Sequence, residues 1–126
     1  RIRDLRGALH RLFSAIAGAS EPVAGDLLLL HEAFAEATGA GELERVADAW
    51  QWTWPSDDPR RVRFAVATDA VALLGDPQRL SRLTRCPGHE CGWLFLDRSG
   101  RRRWCSMATC GSREKMRRMY ARRKAA

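Results

Sequence analysis

The chain owns four cysteines, Cys86, Cys91, Cys105 and Cys110, and spaces them C-x4-C-x13-C-x4-C. Two matched pairs separated by a stretch long enough for a hairpin bring four thiolates to one tetrahedral centre, each pair sitting on a tight turn. The expected occupant is one structural Zn2+ ion, held by all four. The same cysteines could instead form two disulfides, with three connectivities, in an exported protein, or act as a redox switch. Metal is the stronger reading, because residues 85 to 126 are basic and poor in apolar residues, and so small a segment needs a staple to fold. His89 reads as a solvated loop residue, since four sulfurs already close a structural site. A catalytic zinc would keep an open position, and Glu90, the only nearby base, is adjacent to a ligand.

The residues around the cysteines suggest how the centre is built. Pro87 and Gly88 suit the first turn, Trp93 to Leu96 a strand, "DRSG" a hairpin turn, and Arg103 to Cys105 the returning strand. Ser106 then caps a helix that begins within the second pair. A knuckle, a hairpin and a helix carrying the last ligand form a treble-clef-like arrangement. "GSREKMRRMYARRKAA" follows as a helix with Ser112 as its cap. Met116, Met119, Tyr120 and the stem of Arg123 share one side, which is expected to dock. Arg113, Arg117 and Lys124 flank that strip, and Lys115, Arg118 and Arg122 lie opposite.

Charge divides the chain at the same place. Residues 1 to 84 hold 10 Lys and Arg against 12 Asp and Glu, net −2, whereas residues 85 to 126 hold 12 against 3, net +9, which together give the chain's +7. A basic end points to a polyanionic partner, nucleic acid above all. An arginine face inflated by coding bias is the bland reading, but such bias would enrich both halves. Arg101, Arg102 and Arg103 in the hairpin, with Arg113, Lys115, Arg117, Arg118, Arg122 and Lys124 on the helix, are the candidate DNA contacts, giving about 6 to 8 phosphates.

The first 84 residues read as a helical unit with a hairpin inserted. Ile2, Leu5, Leu9, Leu12, Phe13 and Ile16 recur at spacings of three and four, and a second helix is expected from about Ala24 to Thr38, stopped by Gly39 and Gly41. Trp50, Trp52 and Trp54 alternate with Gln51 and Thr53, placing their indoles on one face of a strand opposite Leu43 to Ala47, across a turn at Asp48 and Ala49. That stripe is a candidate small-ligand pocket; the plainer and favoured reading is the buried face of the hairpin. A third helix, capped by Asp58 with Pro59 at its first position, ends at Gly75 and is apolar nearly all round from Val62 to Leu74, so it should be central. "DPQRL" opens a further short turn.

"CGWLFLDRSGRRRWCSMATCGSREKMRR" resembles the CGNR zinc finger, a bacterial family regarded as DNA-binding, over about residues 83 to 124. The upstream helices with "WQWTWPSDD" resemble the later part of the ABATE region, which usually precedes that finger in regulators associated with stress-induced transcription. The resemblance implies that Cys86, Cys91, Cys105 and Cys110 ligate zinc and that the basic tail meets DNA. Two departures stand out: Ser112 occupies the family's asparagine position, and the turn between Asp97 and Trp104 is shorter than usual. The chain starts at Arg1, and the resemblance implies that the family's N-terminal portion is missing from it.

The expected protein is α+β and mainly helical: an incomplete ABATE-like regulatory or oligomerising unit at 1–84 with a Trp-rich β-hairpin, then a treble-clef-like finger at 85–126 with a basic C-terminal helix. Its expected role is a cytoplasmic, zinc-dependent transcription regulator that binds double-stranded DNA, with a small-molecule effector and a homodimer as open partners. The competing reading is a zinc-stabilised protein- or RNA-interaction module. No stretch reaches the roughly 18 apolar residues of a membrane helix. No H-E-x-x-H, G-x-S-x-G or phosphate-binding glycine loop is present, and His10, His31 and His89 lie far apart, so no catalysis is expected.

Overall fold

The computed structural model describes residues 1–125; Ala126, the last residue of the expected finger segment, lies outside the described residues. Its elements run α1 (Ile2–Ala17), α2 (Ala24–Ala40), β1 (Glu42–Val46), β2 (Ala49–Thr53), α3 (Arg61–Leu74), α4 (Pro77–Leu80), β3 (Leu83–Arg85), β4 (Leu94–Leu96) and α5 (Ser112–Ala125). This is the α+β, mainly helical arrangement that the periodicities imply.

The apolar positions of α1 dictate the first layer. Leu5, Leu12 and Phe13 are buried with Leu30 and Ala33 of α2 and Ala67 and Ala70 of α3, while Leu9 and Ile16 pack at the margin. Ala8, Ala33, Ala37 and Ala67 are fully enclosed, and such small side chains let the three helices approach closely. Across one edge of this core, Arg11 donates three hydrogen bonds to the buried carboxylate of Asp26, the shortest at 2.7 Å. Each oxygen of a carboxylate taken from water needs such donors.

Several boundaries differ from expectation. Helix α2 continues to Ala40, so Gly39 lies inside it. Asp58 does not cap α3. It organises the turn before the helix, accepting the Arg60 N–H at 2.8 Å and the Arg60 guanidinium at 3.0 Å. These hydrogen bonds to Arg60, the side-chain one first, hold the Asp58 carboxyl below the usual range. Nor is α3 enclosed on all sides. Phe64, Ala67 and Ala70 are buried, but Val62 and Val66 face outward, away from the elements that pack against this helix. Asp76 does cap α4, accepting the Arg79 N–H at 3.2 Å.

The tryptophan hairpin departs most. β1 and β2 pair antiparallel from Glu42↔Thr53 to Val46↔Ala49, leaving Ala47 and Asp48 as the turn, with Ala47 at a left-handed φ of 55°. Trp54 falls beyond the strand. The hairpin is not the buried wall it was expected to be: Trp50 remains 65% exposed, and both strands lie at the surface. Only its base is fastened. The Nε1 groups of Trp52 and Trp54 both donate to the Ala37 carbonyl, at 3.3 and 2.8 Å, and the Trp54 ring meets Phe64 at 5.9 Å between centroids.

The finger joins the same core. Leu83 of β3 and Leu94 of β4 pack against the helical cluster, and His10 of α1 hydrogen-bonds the Gly92 carbonyl at 3.0 Å.

Phe64 is wholly enclosed where the hairpin, α2 and α3 meet. Phe64→Ala should cost about 3–5 kcal/mol, seen as a lower midpoint in chemical denaturation monitored by helical circular dichroism.

Candidate metal centre and nucleic-acid interface

The finger is built on a hairpin other than the expected one. β4 pairs antiparallel with β3, Leu83↔Leu96 to Arg85↔Leu94, and not with Arg103 to Cys105, which form no strand. The physical reason is the core: pairing upstream puts Leu83 and Leu94 together on α1, whereas Trp104 and Cys105 pack with the sulfur cluster. The first cysteine pair therefore sits in the loop that closes the β3–β4 hairpin. The Cys86 N–H donates to the Trp93 carbonyl at 2.7 Å and the Cys91 N–H to the Gly88 carbonyl at 3.1 Å, forming the knuckle.

Cys105 precedes and Cys110 lies within a wide π-type turn, Met107–Gly111, that runs into α5 without a break. Ser112 is consequently no N-cap. Its hydroxyl donates back to the Met107 carbonyl at 3.0 Å. Ser106 stands at the start of the turn but makes no side-chain cap.

All four Sγ atoms lie within 4.8 Å of one another. The Cys91–Cys105 and Cys105–Cys110 separations are 3.6 and 3.7 Å, close to the roughly 3.8 Å edge of a tetrahedron with 2.3 Å Zn–S bonds. Cys86 and Cys110 are buried, and the Cys105 N–H points at the Cys86 sulfur from 3.3 Å. The donor set fits zinc: four soft ligands close the coordination shell and leave no position for a reacting water. The cysteines form a zinc-binding site of the structural kind.

The thiols themselves show why a cation is needed. Burial would raise Cys86, but N–H donors from Cys105 and Gly88, with the Cys105 and Cys110 thiols, outweigh it and bring it down to about 7. Cys110 is pushed up to about 12, first by its hydrogen bond with Cys91 and then by burial; burial followed by Cys91 likewise raises Cys105. The protein alone thus favours ionisation of Cys86 and holds Cys105 and Cys110 protonated. A divalent ion supplies the charge that lets the others ionise.

Gly88 is a residue whose role the sequence reading understated. A Cβ there would lie 2.7 Å from the Cys110 sulfur and 3.4 Å from that of Cys86, so the knuckle backbone touches the sulfur cluster. Turn propensity alone predicts glycine here without revealing this contact.

The candidate cations divide into distinct groups. Arg113 and Arg117 line one groove with His89 and Tyr120. Arg103, Lys115, Arg118 and Arg122 line another on the opposite flank of α5, beside Trp104. Arg101 and Lys124 are exposed. Arg102 is exposed as well but folds back onto its own loop. Its guanidinium lies 4.3 Å from the Phe95 ring centroid and donates to the carbonyls of Trp104 and Cys105, bracing the second cysteine pair. Asp97 secures the same loop, accepting from the backbone N–H groups of Ser99, Gly100 and Arg102. Trp50, Trp52 and Trp54 do not converge on one cavity: Trp50 points to solvent and the other two spend their N–H groups on Ala37.

The expected docking of the α5 strip does not occur. Met116, Met119 and Tyr120 are 40 to 63% exposed, and no residue of α5 is buried.

Residues 1–77 match the family model described as "ABATE: Putative stress-induced transcription regulator". The chain belongs to the ABATE family. Residues 82–123 match the CGNR zinc finger, so the sulfur cluster and α5 fall inside a recognised finger. No curated protein matches the chain. In this ABATE protein the two matches meet near α4, where β3 begins.

Zinc uptake must displace protons from Cys105 and Cys110 at least, so affinity should fall with decreasing pH by no less than about a hundred-fold per unit, a factor of ten for each proton. Chelator competition across pH 6 to 8 measures this. Gly88→Ala should weaken zinc in the same assay, and a Cys110→Ser chain should lose it.

Proposed function

We propose that this ABATE-family chain is a zinc-dependent transcription regulator that grips duplex DNA with α5 and the Arg101–Arg103 loop, the helical unit at residues 1–84 serving regulation or assembly. The observation that carries this reading is α5 itself. It holds seven Lys and Arg residues against the single acid Glu114, buries nothing, and projects from a metal-fixed turn. A solvated helix of this kind has no reason to be held rigidly at its root unless its outer surface is used. Fourteen residues make a rod of about 21 Å, long enough to cross a major groove about 12 Å wide.

The two cationic grooves give the helix a phosphate-facing flank on either side, as a rod lying between two backbone strands requires. Arg113 and Arg117 serve one flank and Arg103, Lys115, Arg118 and Arg122 the other. Arg101 and Lys124 extend the footprint at its ends. Arg102 acts indirectly, by holding the loop that carries its neighbours. The site holds no group arranged for catalysis, and a regulator of this sort works where DNA is, in the cytoplasm of a bacterium. No helix among the described residues is long and apolar enough to cross a membrane.

One observation favours a second reading. Trp93 and Tyr120 expose most of their rings beside these cations, and aromatic faces next to arginine suit unpaired bases, as in RNA or single-stranded DNA. Titration of duplex and single-stranded fragments from the upstream region of its own gene separates the two. Duplex preference, with affinity falling as a power of about −5 to −7 in salt concentration, is expected for 6 to 8 phosphate contacts; equal or better binding of single strands would favour the second reading. Replacing both Arg113 and Arg117 by Glu should weaken duplex binding at least about ten-fold and flatten the salt slope by about 2. Arg102→Met should leave that slope in place and reduce zinc retention instead.

A further inference from the structure

Among the described residues the β1–β2 hairpin is fastened to the helical unit only at its base. It is a two-stranded ribbon, order β1–β2, with both outer edges free among the described residues. Such a ribbon is marginal in water by itself. Its side chains are unlike those of a solvated turn: Leu43 and Trp52 form one cross-strand pair, Arg45 and Trp50 the next, all on one face, with Leu43 62% and Trp50 65% exposed.

The two edges differ. β1 reads Glu-Leu-Glu-Arg-Val and carries charges, the usual protection of a free edge. β2 reads Ala-Trp-Gln-Trp-Thr, with no charge, no proline and high strand propensity. Natural proteins seldom leave such an edge open. The register shows which backbone groups it offers. Val46 and Ala49 flank the two-residue turn and bond to one another, so alternation turns the N–H and C=O of Trp50 and Trp52 outward, away from β1.

We infer that β2 is a homodimerisation edge, pairing antiparallel with β2 of a second copy about a two-fold axis through Gln51 to make a four-stranded sheet, β1–β2–β2–β1. This register exchanges the outward groups of Trp50 with those of Trp52 in the other copy, so both free pairs are satisfied by one operation. It sets each Trp50 indole against the partner's Trp52 on a shared apolar face. No charge on either β2 opposes the approach. A different protein would need a complementary uncharged strand, whereas a second copy supplies one by symmetry and its two-fold closes the assembly. The inference is independent of the DNA-binding reading, because it is tested without nucleic acid.

Sedimentation of the zinc-loaded chain at about 100 μM should show a dimer, with a dissociation constant at or below the micromolar range. Trp50→Pro removes an outward N–H without touching the β1 ladder, and should weaken the dimer by at least about ten-fold while helical signal and bound zinc persist. Gln51→Cys places two thiols opposite one another on the axis, with Cβ atoms about 4.5–5.5 Å apart, near enough for a small adjustment to close a disulfide. Oxidation should link that variant covalently and leave Glu42→Cys, at the far strand, unlinked. A monomer at the highest concentration, a dimer indifferent to Trp50→Pro, or cross-linking at Glu42→Cys equal to that at Gln51→Cys would each overturn the inference.

Discussion

Four sulfurs crowded within 4.8 Å of one another repel as thiolates unless a cation stands between them. Protonation is the other escape, and Cys105 and Cys110 are driven toward it while Cys86 is brought down to about 7. Everything from Cys86 to Gly111 is arranged around this demand. The knuckle backbone closes on the cluster at Gly88, the Cys105 N–H is spent on a sulfur, and Arg102 spends its guanidinium on the carbonyls of Trp104 and Cys105. Little else in that stretch could order it: Phe95 is its one buried residue besides cysteine and glycine.

The finger is nevertheless no bead on a string. Its first strand begins within three residues of α4, and Leu83 and Leu94 complete the hydrophobic cluster whose centre is Leu5, Leu12 and Leu30. The His10 to Gly92 hydrogen bond reaches from α1 to the residue that follows Cys91. Folding of the helical unit and seating of the metal loop therefore share a surface. A displacement of α1 would be felt at the knuckle through packed side chains, the kind of contact on which a regulatory coupling can act.

How much of this was readable beforehand depended on the range of the interaction. Short-range signals were clear: the cysteine spacing located the metal centre, the period of three and four in α1 located the core, and Asp76-Pro77 located a capped turn. What failed was choice of partner. "WLFLD" reads as a strand on local grounds, but whether it pairs with Leu83–Arg85 or with Arg103–Cys105 is decided by which alternative buries leucine on α1, a long-range fact. The tryptophan stripe failed for the same reason, because alternation reports that one face is apolar without reporting what covers it. Ser112 looked like a cap since serine commonly is one, yet the π-type turn had already supplied the helix with its start.

A rod held at one end magnifies any error at its root. α5 touches the rest of the chain through the turn that ends at Gly111 and extends about 21 Å beyond it. Tilting that root by about 10° would carry the tip some 3.6 Å sideways, roughly the 3.4 Å rise from one nucleotide to the next along a DNA strand. The cysteine cluster is thus a matter of aim as well as of stability: the residues that would hold the metal, Cys105 and Cys110 among them, also carry the root of the helix.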